Sequence, residues 1–187
     1  NPTGPLPSND ELVPFLKEAA DTLEKEEKVV HRSGRGLFIG DIHGDLPNAI
    51  KALEIASQKN ALPIFMGDYV DRGEYQIESI NYLLARKILD PDSLVLLRGN
   101  HEFKEVYVKY GFADEVMGKY PETIYWLYNI AFSALPLAAV LNKKVLALHG
   151  GMASDFYYVS DIERLPISDM GGYDERLTFL WNDPSEE

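Results

Sequence analysis

Between residues 36 and 97, three short apolar runs alternate with two longer segments whose apolar residues recur at helical spacing. The predicted strands cover residues 37–39, 62–66 and 94–97, and the predicted helices cover residues 48–58 and 75–88. Short, continuously apolar runs bounded by glycine or proline are typical of strands buried on both faces of a parallel sheet. The pattern therefore predicts two consecutive βαβ units and an α/β fold.

A polar run that contains glycine follows each of these predicted strands. The three runs are Gly40–Gly44 (GDIHG), Gly67–Gly73 (GDYVDRG) and Gly99–Glu102 (GNHE). In an open α/β sheet, groups at the carboxyl ends of neighbouring strands meet at one edge, where ligands bind. Asp, His and Asn supply the oxygen and nitrogen ligands that divalent metals need, and glycine lets the backbone come close to a ligand. The sequence thus predicts a divalent metal site at this edge.

The remaining segments predict further helices and one hairpin. A capping box at Ser8–Glu11 starts a predicted helix that continues to about residue 28, and its charged end, residues 24–28, is expected on a solvated face. Two helices divided at Pro121 are predicted between residues 105 and 132, and residues 137–141 and 144–148 are predicted to form a β-hairpin. Residues 1–9 are predicted to be a flexible lead-in.

Length and composition narrow the class of protein. The 187 residues are expected to form one domain over residues 1–187. The formal net charge of −12 argues against a nucleic-acid partner, because phosphate backbones are bound mainly by clustered Lys and Arg. No apolar run approaches the roughly 20 residues that span a bilayer, so no membrane partner is expected. The chain has no cysteine, so any metal must take oxygen and nitrogen ligands, and a cytoplasmic enzyme is expected.

The polar runs resemble a known signature when they are taken together with His149-Gly150-Gly151 and the Leu180–Pro184 segment (LWNDP). The resemblance is to the calcineurin-like metallophosphoesterase superfamily, in the form found in PPP-type serine/threonine protein phosphatases. The resemblance covers roughly residues 36 to 184 of this chain. It implies a metallophosphoesterase fold, with a central β-sandwich of mixed sheets flanked by helices.

The resemblance also implies two divalent ions, which we expect to be Mn²⁺, with Fe or Zn as alternatives. Asp41 and His43 alternate on a segment predicted to be extended, so they would point to the same side and bind the first ion. Asp68 would bridge the two ions. Asn100 and His149 would complete much of the second site.

The activity implied by the resemblance is hydrolysis of phosphoserine or phosphothreonine in proteins by a hydroxide that bridges the two ions. His101 resembles the family's general acid, and Asp71 would accept its other N–H. Arg72 resembles the family's phosphate clamp, and Asn100 would also contact the substrate.

The sequence departs from the family pattern in its histidines. It contains four, namely His31, His43, His101 and His149. The family takes a further metal-binding histidine, a second phosphate-binding arginine and an active-site tyrosine from a later segment. None of these can be matched, so we expect the C-terminal part of the domain to be missing from this sequence. His31 is expected in an exposed or loop position, and Arg98 and Glu102 are expected to have structural roles.

Three functions are consistent with the sequence. The first is a protein phosphatase with phosphoprotein or phosphopeptide substrates and a regulatory subunit. The second is a dinucleoside polyphosphatase or phosphodiesterase that uses the same site. The third is a non-catalytic phosphate-binding module, in which an incomplete second metal site has removed the chemistry.

Overall fold

Two three-stranded sheets form the centre of the protein. The computed structural model describes residues 4–152, 156–165 and 179–182. The strands are β1 (Val29–Arg32), β2 (Gly36–Ile39), β3 (Leu62–Phe65), β4 (Val95–Leu96), β5 (Ala138–Leu141) and β6 (Val145–Leu148). One sheet has the order β1-β5-β6, in which the central strand β5 pairs in parallel with β1 and antiparallel with β6. The other has the order β2-β3-β4 and is entirely parallel.

Seven α-helices surround the sheets in the described part of the chain. They are α1 (Asn9–Leu23), α2 (Leu46–Gln58), α3 (Gln76–Leu89), α4 (Lys104–Tyr110), α5 (Phe112–Lys119), α6 (Glu122–Ser133) and α7 (Val159–Glu163). The capping box predicted at Ser8 starts α1, since the Ser8 backbone N–H donates to Glu11 Oε2 at 2.8 Å. Asp45 caps α2 by accepting from Asn48 N at 3.1 Å.

The βαβ prediction is confirmed, and the two sheets pack against each other. β2, β3 and β4 run in parallel with α2 and α3 between them. Val30 and Ala139 of one sheet share a buried cluster with Ile64 and Val95 of the other. A larger cluster lies between the β2-β3-β4 sheet and the helices, and Leu6 packs against it. Two packed sheets with helices around them match the sandwich architecture that the resemblance implied.

The hairpin prediction is also confirmed. β5 and β6 pair antiparallel from Ala138–Leu148 to Leu141–Val145. Three residues connect the strands, and Lys144 N donates to the Leu141 carbonyl at 3.0 Å. Asn142 and Lys143 at the centre of this turn both have φ of 56°, the left-handed conformation of a type I′ turn. No helix in the described residues has both the length and the apolar character needed to cross a membrane.

Three local predictions were wrong. α1 ends at Leu23 rather than near residue 28, and the unpredicted strand β1 follows it. The region from residue 104 to 133 forms three helices rather than two, because Gly111 with φ of +117° ends α4 before Pro121 is reached. The charged run at residues 24–28 is not wholly solvated, since the Glu26 side chain is only 10% exposed and pairs with the buried Lys87 at 2.8 Å.

Candidate metal and catalytic centre

The loops after β2, β3 and β4 converge at one edge of the parallel sheet, and glycines allow them to touch. A Cβ on Gly67 would lie 2.3 Å from Gly99 N, and one on Gly73 would lie 1.8 Å from the His43 carbonyl oxygen. Gly67 also has φ of +107°, which side chains other than glycine rarely adopt. Larger residues at these positions would separate the loops that carry the predicted ligands.

Asp41, Asp68 and His149 form one candidate metal group. One possible ligand atom from each lies within 4.8 Å of the other two. His149 Nδ1 donates to the Met66 carbonyl at 2.9 Å, because a carbonyl can only accept. The other ring nitrogen, Nε2, lies 3.4 Å from Asp68 Oδ1 and 3.2 Å from Asn100 Oδ1. An imidazole nitrogen, a carboxylate oxygen and an amide oxygen therefore converge at this point.

His43 repeats this arrangement on the other side of Asp68. Its Nδ1 donates to the Val70 carbonyl at 2.7 Å. Its Nε2 is buried without a hydrogen-bond partner, 3.6 Å from Asp68 Oδ2 and 3.8 Å from Asp41 Oδ2. His43 lies in a turn with φ of 43° rather than on the extended segment that the sequence predicted. The turn is held by the backbone N–H of His43, which donates to the Asp68 carbonyl at 2.8 Å.

These residues fit divalent metal ions. The Asp68 carboxylate is 4% exposed and lies between the two imidazoles, with one oxygen towards each. Burial raises the pKa of Asp68, because the surroundings solvate its charge poorly. Converging lone pairs of carboxylate, imidazole and amide are stabilised by a bound cation. Asp41, His43, Asp68, Asn100 and His149 could hold such ions, and Asp68 could contact two.

His101 and Asp71 form a buried pair beside this cluster. His101 Nδ1 donates to Asp71 Oδ2 at 2.6 Å, and the Asp71 side chain is 0% exposed. Asp71 Oδ1 accepts from Phe112 N at 3.0 Å. His101 Nε2 lies 3.9 Å from Asp68 Oδ2, and the ring also falls within a group with His43 and Asp68. Because Nδ1 is held by Asp71, Nε2 is the ring nitrogen that remains for chemistry.

The exposed side chain of Arg72 reaches back over this pair. Its Nη2 lies 3.2 Å from His101 Nε2, and its backbone has φ of 68°. Arg72 forms no ion pair with any acidic side chain that the structure describes. The guanidinium therefore lies where it could meet a phosphoryl group next to His101.

Glu102 links the loops that follow β3 and β4 through hydrogen bonds to their backbones. Its carboxylate is 0% exposed and accepts from Asp68 N, Tyr69 N and Gly99 N at 2.7, 2.8 and 2.9 Å. Burial raises the pKa of Glu102 to about 8, the nearby Asp68 charge adds to the rise, and the three N–H donors oppose it. The side chain supports the loops on which Asp68 and His101 lie.

Arg98 is buried under the same loop. Its Nη2 donates to the Glu102 carbonyl at 3.3 Å, and its guanidinium lies 3.7 Å from the centroid of the Phe103 ring. Burial lowers the pKa of Arg98 to about 10. The structural roles expected of Arg98 and Glu102 are confirmed by these contacts.

A sequence profile of the calcineurin-like phosphoesterases matches residues 35–186, which is most of the chain. The chain belongs to the calcineurin-like phosphoesterase family. In this calcineurin-like phosphoesterase, the matched region begins just before β2 and includes every candidate site residue described above.

The similar proteins are named as phosphatases. The chain is 38% identical over 183 residues to the "Probable serine/threonine-protein phosphatase" of Encephalitozoon cuniculi, covering 40% of that protein. It is 35% identical over 181 residues to the serine/threonine-protein phosphatase 4 catalytic subunit of Kluyveromyces lactis, covering 58% of it. In both comparisons, 95% of this chain is aligned.

A solved structure shows the same likeness. A protein serine/threonine phosphatase from Saccharomyces cerevisiae, with similarity to human phosphatase PP5, superposes with a TM-score of 0.84 at 29% identity. The superposition covers 97% of this chain and 61% of that one. The chain thus spans about half the length of the curated relatives it matches.

Two sequence expectations concern residues at the margin of the site. His31 lies in β1, half exposed, and its Nε2 is 3.7 Å from Glu163 Oε1, so it is exposed as expected but belongs to a strand. Within the LWNDP segment, the structure describes Leu180 to Asn182, and Asp183 and Pro184 lie outside the described residues. The described part packs on the glycines after His149: a Cβ on Gly150 would lie 2.8 Å from Leu180 C, and one on Gly151 would lie 3.1 Å from the Asn182 carbonyl oxygen.

Three supporting residues could not be found from the sequence. Phe112 donates its backbone N–H to Asp71, Gln76 Oε1 accepts from Asp71 N at 2.8 Å, and Tyr110 lies beside His101 and Arg72. A backbone donor leaves no sequence signal. Gly111, whose φ of +117° reverses the chain between Tyr110 and Phe112, is the single local hint.

Proposed function

We propose that this chain carries the main part of the catalytic centre of a metal-dependent serine/threonine protein phosphatase, which hydrolyses phosphomonoesters. The observation that carries the proposal is the convergence of His43 Nε2, which is buried without a hydrogen-bond partner, and His149 Nε2 on the two oxygens of Asp68. The His101–Asp71 pair and the guanidinium of Arg72 lie next to this point. The names of the similar proteins support the substrate class, a phosphoserine or phosphothreonine in a protein.

The metal ligands in this proposal are Asp41, His43, Asp68, Asn100 and His149. When bound, two divalent ions would lower the pKa of a water towards neutrality and withdraw charge from the phosphoryl oxygens. Mn²⁺ is the proposed metal, and Fe or Zn remain alternatives, because the mixed ligand set accepts all three. The position of Asp68, with one oxygen towards each imidazole, supports its proposed role as the ligand shared by both ions.

The other residues act on the phosphoryl group and the leaving group. Arg72 would bind phosphoryl oxygens through its planar guanidinium, and Asn100 would contact the same group. A serine or threonine alkoxide is a poor leaving group, so His101 would donate a proton from Nε2 as the P–O bond breaks. Asp71, at 2.6 Å from Nδ1, would stabilise the positively charged ring.

The wider biology of the protein is part of the proposal. Phosphoproteins are the proposed substrates, and a regulatory subunit is the proposed partner, on the grounds that the Kluyveromyces lactis relative is named as a catalytic subunit. The cytoplasmic location and the single domain over residues 1–187 stay predictions from the sequence.

Elemental analysis and phosphate release on one sample test the proposal. The chain is loaded with Mn²⁺ and desalted, and bound metal is measured beside turnover of a phosphoserine peptide, a dinucleoside tetraphosphate and bis-nitrophenyl phosphate. We expect two ions per chain and faster release from the peptide. Faster cleavage of the dinucleotide or the diester would favour the corresponding rival enzyme. Binding of the peptide without turnover, with any of Mn²⁺, Fe²⁺ or Zn²⁺, would favour the phosphate-binding module.

A further inference from the structure

We infer that Tyr110 is a positioning residue for Arg72, and that its ring keeps the guanidinium directed towards His101. Tyr110 ends α4, and its side chain is about half exposed. The ring centroid lies 5.8 Å from Arg72 Cζ and 5.0 Å from the centroid of the His101 ring, at an interplanar angle of 58°. The tyrosine thus contacts the proposed phosphate clamp and the proposed general acid together. The inference rests on the proposed function, which it deepens.

The backbone around Tyr110 is tied to the same loop by two hydrogen bonds. Arg72 N donates to the Tyr110 carbonyl at 3.3 Å, and Phe112 N donates to Asp71 Oδ1 at 3.0 Å. Gly111 between them has φ of +117°, which lets the chain turn sharply between α4 and α5. The position of the ring relative to Arg72 is therefore set by backbone bonds that a change of the side chain would leave in place.

Arg72 needs such a neighbour because little else restrains its side chain. The residue is exposed and has φ of 68°, and its contacts in the described structure are the ones to His101 and Tyr110. A long, exposed arginine loses considerable rotamer freedom when it binds a phosphate. An aromatic face attracts a guanidinium, so the ring removes part of that freedom before a phosphate arrives. Tyr110 should therefore strengthen phosphate binding more than it changes the chemical step.

The test compares three variants of the whole chain. Tyr110→Ala removes the ring, Tyr110→Phe keeps it, and Val108→Ala is a matched control at an exposed position of the same helix. With Mn²⁺-loaded protein, we expect Tyr110→Ala to weaken inorganic phosphate binding and to raise the KM for a phosphoserine peptide, each about threefold to tenfold, as loss of one cation–π contact predicts. kcat should fall less than KM rises. The other two variants should stay within about twofold of the wild type.

A second readout does not depend on turnover. In metal-free protein, the Arg72 Nε–H signal, assigned by its loss in Arg72→Lys, should report faster side-chain motion by ¹⁵N relaxation in Tyr110→Ala but not in Tyr110→Phe. Unchanged motion together with unchanged phosphate affinity in Tyr110→Ala would overturn the inference, and so would an equal effect of Val108→Ala. If the wild type binds phosphate but does not hydrolyse the peptide, the proposed function fails. The Arg72 side-chain motion and the phosphate affinity of Tyr110→Ala still decide whether Tyr110 positions Arg72.

Discussion

Replacing Asp71 by asparagine should impair turnover selectively for substrates with poor leaving groups. In the structure, the fully buried Asp71 carboxylate accepts from both His101 Nδ1 and Phe112 N. An asparagine amide has one oxygen and one NH₂, so it can accept from only one of these donors. If its oxygen keeps the Phe112 bond, its NH₂ faces His101 and no longer stabilises the protonated ring.

The size of the effect follows from the bond that is lost. A hydrogen bond to a charged group is worth about 1.5–3 kcal/mol. At about 1.4 kcal/mol for each factor of ten, the loss corresponds to a roughly 10- to 150-fold slower proton transfer. Phosphoserine peptide turnover should fall by that factor in Asp71→Asn. Hydrolysis of p-nitrophenyl phosphate should fall much less, because nitrophenolate leaves readily without a proton.

The assay measures kcat for both substrates on Mn²⁺-loaded protein, with metal content and unfolding temperature measured on the same samples. Asp114→Asn, at an exposed position on α5, is the matched control and should behave as the wild type. Peptide turnover at the wild-type rate would refute the role of Asp71. An equal fall for both substrates would show that Asp71 acts on metal binding or folding, and would also refute the reasoning.

Three further changes should have distinct effects. His101→Asn should lower peptide turnover by about 10² or more and leave metal content unchanged, as measured by phosphate release and elemental analysis. Asp68→Asn should deplete both ions and abolish the rise in melting temperature that Mn²⁺ gives the wild type, because one carboxylate serves both candidate groups. Lys87→Met should destabilise the protein by about 1–3 kcal/mol in urea unfolding, since it leaves two carbonyls without their donor and leaves Arg32 as the remaining cation beside Glu26.

Each of these results has an outcome that would contradict it. Wild-type-like peptide turnover in His101→Asn would exclude the general-acid role, and full metal occupancy in Asp68→Asn would exclude a shared carboxylate. Lys17→Met, at an exposed position of α1, is the control for Lys87→Met. An equal stability in the two lysine variants would show that the buried amino group contributes nothing specific.

The candidate ligands could be predicted because their positions depend on local pattern. Asp41, Asp68 and Asn100 each follow a short apolar run, and parallel strands bring their carboxyl ends to one edge. The direction of each side chain was less predictable. His43 was expected on an extended segment, but hydrogen bonding of its backbone N–H to the Asp68 carbonyl places it in a turn.

The errors arose where distant segments decide the structure. β1 was missed because its four residues gain their strand geometry from parallel pairing with β5, from Val29–Ala138 to Arg32–Leu141. The charged run after α1 was assigned to solvent, yet Glu26 is buried against Lys87, which donates to it across 61 residues of sequence. The sequence of a short segment does not indicate a contact with a residue so far along the chain.

By itself, the sequence determined the parallel βαβ core, the edge at which polar groups gather and the chemical type of the ligands, because strand length, helical period and residue type are local properties. Only the tertiary structure decided how the proposed catalytic pair, His101 and Asp71, is held. Asp71 is oriented by the Phe112 backbone, 41 residues away, and Arg72 lies against Tyr110. A backbone N–H and an aromatic ring form no recognisable sequence motif. They contribute to the site only because packing of α4 and α5 brings them next to Asp71 and Arg72.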